Sequence, residues 1–172
     1  MPQNSRQPPL AADPVLRDES LSPAPDGALV LELLRLRDAM RLVFRPVLRT
    51  RGLTDQNWRL IRTLGERGPT EMTTLAAETA IPTASASRIV TRMTAAGLVR
   101  RSRDRLDRRQ VLVELTPKGR RIQAEVGPLM RDAHDALDAR LPPGVLADLH
   151  ASLVKANLAV AAIGLAAEPS DD

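Results

Sequence analysis

The chain has no cysteine and no tyrosine, and Phe44 and Trp58 are its only phenylalanine and tryptophan among 172 residues. Without thiols there can be no disulfide framework, thiolate metal site or cysteine redox switch. With so few aromatics the core must be built from Leu, Val, Ile, Ala and Met, a palette that favours packed helices over extensive sheet. The first residues, Met1 to Pro9, are polar and proline-rich instead of basic and then apolar, and no apolar run is read as approaching the roughly 18 residues of a membrane span. The expectation is a soluble, cytoplasmic protein with no membrane partner. A Gly-rich phosphate loop and a Ser nucleophile elbow are also missing. The two histidines, His134 and His150, are separated by a helix break and flanked by Asp132, Asp135 and Asp148, without metal-ligand spacing or a third convincing ligand. They read more simply as exposed helix residues, so no catalysis, metal or cofactor is expected.

What the chain does have is an uneven charge. The net charge is only +4, yet residues 80–121 carry eleven basic and three acidic side chains, and residues 122–172 carry three and eight. Of the 25 basic residues, 23 are Arg, which a genome bias would explain. Such a bias does not explain why they cluster. One basic block of about forty residues is the footprint of a phosphate-facing surface.

Residues 1–26 hold six of the fourteen prolines and little apolar periodicity, and read as a disordered arm; residues 167–172 read as a disordered tail. Between them, residues 27–166 form one domain. Leu29, Leu33, Leu36, Met40, Val43, Phe44, Val47 and Leu48 recur at helical spacing, which predicts a helix over about 28–50, with Pro46 bending or interrupting its last turn. Thr54 followed by Asn57 predicts a capping box and a second helix to about Glu66, ended by Arg67-Gly68-Pro69. Thr73–Thr79 and Thr83 to about Ala96, joined through Ala80-Ile81-Pro82, read as a helix-turn-helix. Leu98–Arg101 and Gln110–Leu115 read as two strands of a hairpin with a polar tip over 104–109. Thr116-Pro117 starts a helix to about Leu137, with Gly127-Pro128 as a kink. A final apolar helix runs through Leu146, Leu149, Leu153, Leu158 and Ile163 after Pro142-Pro143-Gly144. The fold class is mainly α with a small β-hairpin wing: a winged helix-turn-helix over about 54–116, with dimerisation helices over about 28–50 and 117–166.

The stretch Leu98-Val99-Arg100-Arg101, Asp104, Asp107-Arg108-Arg109, Val111, Val113 and Leu115-Thr116-Pro117-Lys118-Gly119, together with Leu75-Ala76 and Ser87-Arg88, resembles the wing signature of MarR-type transcription regulators. The segment Ala28 to Trp58, through Arg37, Met40, Phe44-Arg45-Pro46 and Leu53-Thr54-Asp55-Gln56-Asn57-Trp58-Arg59, is most similar to the subgroup that regulates homoprotocatechuate degradation operons. The wing departs from the family pattern at Arg105-Leu106, where a proline and a polar or acidic residue are usual. The resemblance implies a homodimer on a pseudo-palindromic duplex operator, commonly as a repressor.

The residues themselves support that reading. The second helix of the helix-turn-helix offers Thr83, Ser85, Ser87, Arg88 and Arg92 on or near one face, suited to base edges and phosphates in a major groove. A merely solvated face would have the same pattern without the wing that follows it. Arg105, Arg108 and Arg109 lie at or beside the wing tip, where a guanidinium can enter a minor groove. Asp107 is expected to pair with a nearby Arg and fix the tip; the family resemblance implies that one of Arg108 and Arg109 takes that pairing while the other contacts DNA. The apolar excess of the terminal helices (Leu29, Leu33, Leu36, Leu146, Leu149, Leu153, Ile163) belongs either to an obligate dimer interface or to an intrachain core. For an effector, the subgroup resemblance points to a small aromatic carboxylate near Arg37, Arg45, Trp58 and Arg62; the plainer reading makes the arginines surface residues and Trp58 core. A winged helix serving as a protein-interaction module is the other class open to the sequence, and it would present an acidic or apolar surface where this one is basic.

Overall fold

The computed structural model describes residues 27–103 and 111–166. The chain divides into two units, Met1–Arg37 and Asp38–Asp172. Helix α1 runs Ala28–Arg49 and continues past Pro46, which has no N–H to donate to the preceding turn. In the first unit its exposed side chains include Leu29, Val30, Leu31, Leu33 and Leu34.

The second unit is organised around α2 (Asp55–Arg67). Thr54 caps it as expected: Asn57 N donates to Thr54 Oγ1 at 3.1 Å and Thr54 N donates to Asn57 Oδ1 at 3.3 Å. Leu53 before the cap and Trp58 at the fourth helical position are both buried, the placement of a hydrophobic staple. Leu60, Ile61 and Leu64 complete the buried face of α2. Gly68, at φ +82°, closes the helix, its N–H donating to the Leu64 carbonyl.

Thr70–Glu71 then forms strand β1, which the sequence reading missed. Helices α3 (Met72–Glu78) and α4 (Thr83–Ala95) follow, and strands β2 (Val99–Arg103) and β3 (Val111–Leu115) make the wing hairpin. The sheet is antiparallel in the order β1-β3-β2, pairing Thr70 with Val113 and Arg101 with Val113 across its centre strand. Val99, Val113 and Leu115 face the core, where they join Leu75, Ile89, Val90 and Met93. Burying each such side chain contributes about 1.5–3 kcal/mol.

Helix α5 (Pro117–Asp138) starts on the Thr116 cap and sends Val126 into the same core; α6 (Val145–Ala166) follows Gly144. No side chain described on α6 is buried, and Leu158 and Val160 are 69% and 67% exposed. The window Val145–Ala162, with a mean hydropathy of 1.3, is long and apolar enough by length and composition to cross a membrane, which corrects the expectation of no such segment. Asp148, His150, Lys155 and Asn157 interrupt the apolar run, so only its average reveals it.

One junction fixes the wing and α4 onto α5. Thr116 N donates to the Leu98 carbonyl at 3.1 Å, Thr116 Oγ1 donates to the Gly97 carbonyl at 2.6 Å, and Lys118 Nζ donates to the Ala96 carbonyl at 2.8 Å. Gly119 is required for this approach, since a Cβ there would lie 2.1 Å from the Leu98 carbonyl oxygen.

Candidate nucleic-acid interface

Helix α4 buries Ala86, Ile89, Val90 and Met93 and leaves the opposite face open. At 100° per residue, Ala84, Arg88, Thr91 and Ala95 fall at the centre of that open face, and all four are exposed. Arg92 and Thr83 are exposed as well, and Ser85 and Ser87 are half-buried. Neither the Arg88 nor the Arg92 guanidinium has an ion pair or hydrogen bond among the described residues. The helix contains no acidic residue. Of the predicted set, Arg88 lies at the centre of the open face with Ser87 and Arg92 flanking it and Ser85 at its edge, whereas Thr83, half a turn of the helix away from Arg92, lies off that face; the two guanidinium groups are unneutralised among the described residues.

Thr91, absent from the predicted set, sits in the middle of that side; the spacing that selects Arg88 would have selected it. Its Oγ1 donates to the Ser87 carbonyl at 2.9 Å and accepts Arg101 Nη2 from β2 at 3.3 Å. Arg101 thus adds a third guanidinium beside the open face. Arg100, its neighbour on β2, is neutralised instead by the cross-strand Glu114, 3.2 Å away. Arg105, Arg108 and Arg109, together with Asp104 and Asp107, lie outside the described residues.

Behind α4, the turn of the helix-turn-helix is held by a residue the sequence reading passed over. Arg59 of α2 donates Nη1 to the Thr79 carbonyl at 2.7 Å. Its Nε is buried and lies 3.2 Å from Asp55 Oδ2, an ion pair without hydrogen-bonding direction. Ala80, next along, has φ +49°, the left-handed region.

The expected effector residues do not converge on one place. Trp58 and Arg62 line a cleft of about 550 Å3 between α2 and α5, with Gln123, Gly127 and Arg131 on its other side. Arg45 lines a different cleft of about 690 Å3, with Phe44, Leu48, Arg49, Leu53 and Asp55. Arg37 is exposed on α1 in the Met1–Arg37 unit. In the first cleft Arg62 Nε lies 2.9 Å from Glu66 Oε1, an exposed i,i+4 pair of small energetic weight, and Arg131 has no partner among the described residues. Trp58 is 7% exposed, so it is both a core residue and part of the cleft wall. His134 is exposed, as expected, and stacks on Phe44 with ring centroids 6.5 Å apart. No cluster of three His, Cys, Asp or Glu residues suited to a metal occurs among the described residues.

A model of the MarR family matches residues 51–110. The HTH-type transcriptional regulator FarR of Neisseria gonorrhoeae is 36% identical over 132 residues, 75% of this chain and 90% of that protein. The homoprotocatechuate degradative operon repressor of Escherichia coli is 31% identical over 113 residues, 66% of this chain and 76% of that one. The crystal structure of NadR in complex with 4-hydroxyphenylacetate superposes with a TM-score of 0.64 at 32% identity, covering 83% of this chain and 97% of that one. The chain belongs to the MarR family. It is a transcription regulator of the winged-helix type and not an enzyme.

Proposed function

We propose that the protein is a cytoplasmic, homodimeric repressor of an aromatic-acid catabolic operon, released from its DNA by a small aromatic carboxylate. The observation that carries the DNA half is the pair of unneutralised guanidinium groups, Arg88 and Arg92, on the acid-free open face of α4. A helix can enter the major groove, where Arg bridges guanine O6 and N7 or holds phosphate while Thr and Ser reach base edges. Arg105, Arg108 and Arg109 add the minor-groove contact of the wing. An acidic or apolar face would have favoured docking to a protein, and this face has neither character.

Dimerisation is supported by apolar side chains that one protomer leaves exposed on α1 and α6, among them Leu29, Leu33, Val154 and Leu158. A second copy covering them removes apolar surface worth about 25 cal/mol per Å2. Two-fold symmetry then sets two copies of α4 about one DNA turn, roughly 34 Å, apart, and the operator is pseudo-palindromic.

For the effector, the Trp58–Arg62 cleft offers an indole wall and, for a carboxylate, Arg131, which has no partner among the described residues, beside the Arg62–Glu66 pair. A relative that represses a homoprotocatechuate operon and a structural neighbour that holds 4-hydroxyphenylacetate support that ligand class. Binding there acts by favouring protomer arrangements in which the two α4 helices no longer match the operator spacing. The test is an electrophoretic shift with the intergenic DNA upstream of the gene, repeated with 4-hydroxyphenylacetate. A specific shift abolished by the acid is expected; no shift in its absence contradicts the DNA reading, and a shift indifferent to aromatic carboxylates contradicts the effector reading.

A further inference from the structure

We propose that Arg59 is a positioning residue for DNA recognition, holding the turn that aims α4 without itself touching DNA; this rests on the reading of the chain as a DNA-binding regulator. Helix α3 has only seven residues, and four more, Thr79 to Pro82, set the direction of α4. Most polar groups of that turn are satisfied locally: Thr79 N reaches the Leu75 carbonyl, Ile81 N the Ala76 carbonyl, and Thr79 Oγ1 donates to the Leu75 carbonyl at 2.7 Å. The Thr79 carbonyl is satisfied from outside the turn. It accepts no backbone hydrogen bond among the described residues, and its partner is Arg59 Nη1 at 2.7 Å.

That bond sits immediately before the one non-glycine residue with positive φ among the described residues, Ala80. A backbone held in the left-handed region relaxes unless its surroundings over-determine it. The downstream anchors are Ile81, 3% exposed, and Pro82, which caps α4 with no side-chain hydrogen bond. Upstream, the charge-assisted bond from α2 fixes the peptide orientation at Thr79. Arg59 comes from the helix whose buried face carries Trp58, Leu60, Ile61 and Leu64, so its base is rigid. Its guanidinium is steadied by Asp55, which also lines the cleft of Phe44 and Arg45. The orientation of α4 is thereby referred to the core through α2, and Asp55 links that reference to a cleft.

The experiment uses the full-length dimer and its upstream intergenic duplex. Thermal midpoint, DNA affinity by fluorescence anisotropy, and the slope of affinity against salt are measured for wild type, Arg59→Met and Arg59→Lys. Met keeps the aliphatic stem without a donor, and Lys keeps one charged donor. The expected result is about a tenfold loss of affinity for Arg59→Met, the scale of one charge-assisted hydrogen bond. The salt slope should be unchanged, and Arg59→Lys should lie within about threefold of wild type. A purely structural Arg59 would lower the thermal midpoint of Arg59→Met and leave the affinity of folded dimer alone; that result overturns the proposal. A slope reduced by about one, the mark of a direct phosphate contact, overturns it too. If Arg59→Met does not melt cooperatively, Arg59→Gln takes its place under the same criteria. Failure of wild type to bind overturns the regulator reading itself, whereas wild-type binding with an indifferent Arg59→Met overturns the positioning role alone.

Discussion

Replacing Gly119 by Ala puts the junction between the wing and α5 to a quantitative test whose sign is informative. On an exposed helical position the change would stabilise by up to about 1 kcal/mol, because Ala has the better helix propensity. Here the new methyl group would sit 2.1 Å from the Leu98 carbonyl oxygen and 3.1 Å from Leu115 Cδ2. Carbon and oxygen do not approach closer than about 3.3 Å without repulsion, so the start of β2 must retreat by about 1 Å. That same carbonyl accepts Thr116 N at 3.1 Å and Thr116 Oγ1 at 3.2 Å. Retreat therefore weakens the Thr116 N bond and the longer branch of the Thr116 hydroxyl bond shared with the Gly97 carbonyl, together about 1–2 kcal/mol, in addition to an overpacking cost of about 1–3 kcal/mol in a filled site. The net expectation is a loss of about 1–4 kcal/mol, up to a large share of the roughly 5–15 kcal/mol that holds a domain folded. Urea unfolding at fixed protein concentration, read by far-ultraviolet circular dichroism, measures it. A midpoint equal to wild type, or higher, would refute the reasoning.

Other outcomes follow from the same geometry. Ala80→Gly relieves the left-handed φ of +49° and should raise stability by about 0.5–1 kcal/mol after the entropy of the added glycine; a lower denaturation midpoint would contradict it. Leu158→Glu, on a side chain 69% exposed in the protomer, should shift the sedimentation profile from dimer to monomer at micromolar concentration, and an unaltered dimer would remove α6 from the interface. Calorimetry with 4-hydroxyphenylacetate should show binding weakened about tenfold in Arg131→Ala, the worth of one charge-assisted contact; equal affinity would place the carboxylate elsewhere.

Most of the fold could be read from local chemistry. The Thr54–Asn57 box, Thr116-Pro117, and Gly68 and Gly97 punctuate the chain, and the helices begin and end within about a residue or two of those signals. Strand β1 escaped because two residues carry no period; its pairing with β3 is a property of the folded sheet. The open face of α4 is legible from spacing alone, and the three-residue step from Arg88 leads to Thr91. The supports of that face were not readable in the same way. Arg59 and Thr79 are 20 residues apart, and Lys118 and Ala96 are 22 apart, and no periodic signal links them. Trp58 and Arg62, four apart on one helix, line one cleft, but Arg45 stands on another helix and lines another.

The central claim is that the open face of α4 meets phosphate and base edges with Arg88 and Arg92. Anisotropy titrations of wild type, Arg88→Ala and Arg92→Ala on the upstream duplex, at about 50 and 200 mM salt, test it most directly. Each exposed, unpartnered side chain should be removable without loss of stability, yet each variant should bind about tenfold or more weakly, with its salt slope lower by roughly one wherever the lost contact was to phosphate. Wild-type affinity and slope in both variants would contradict the account.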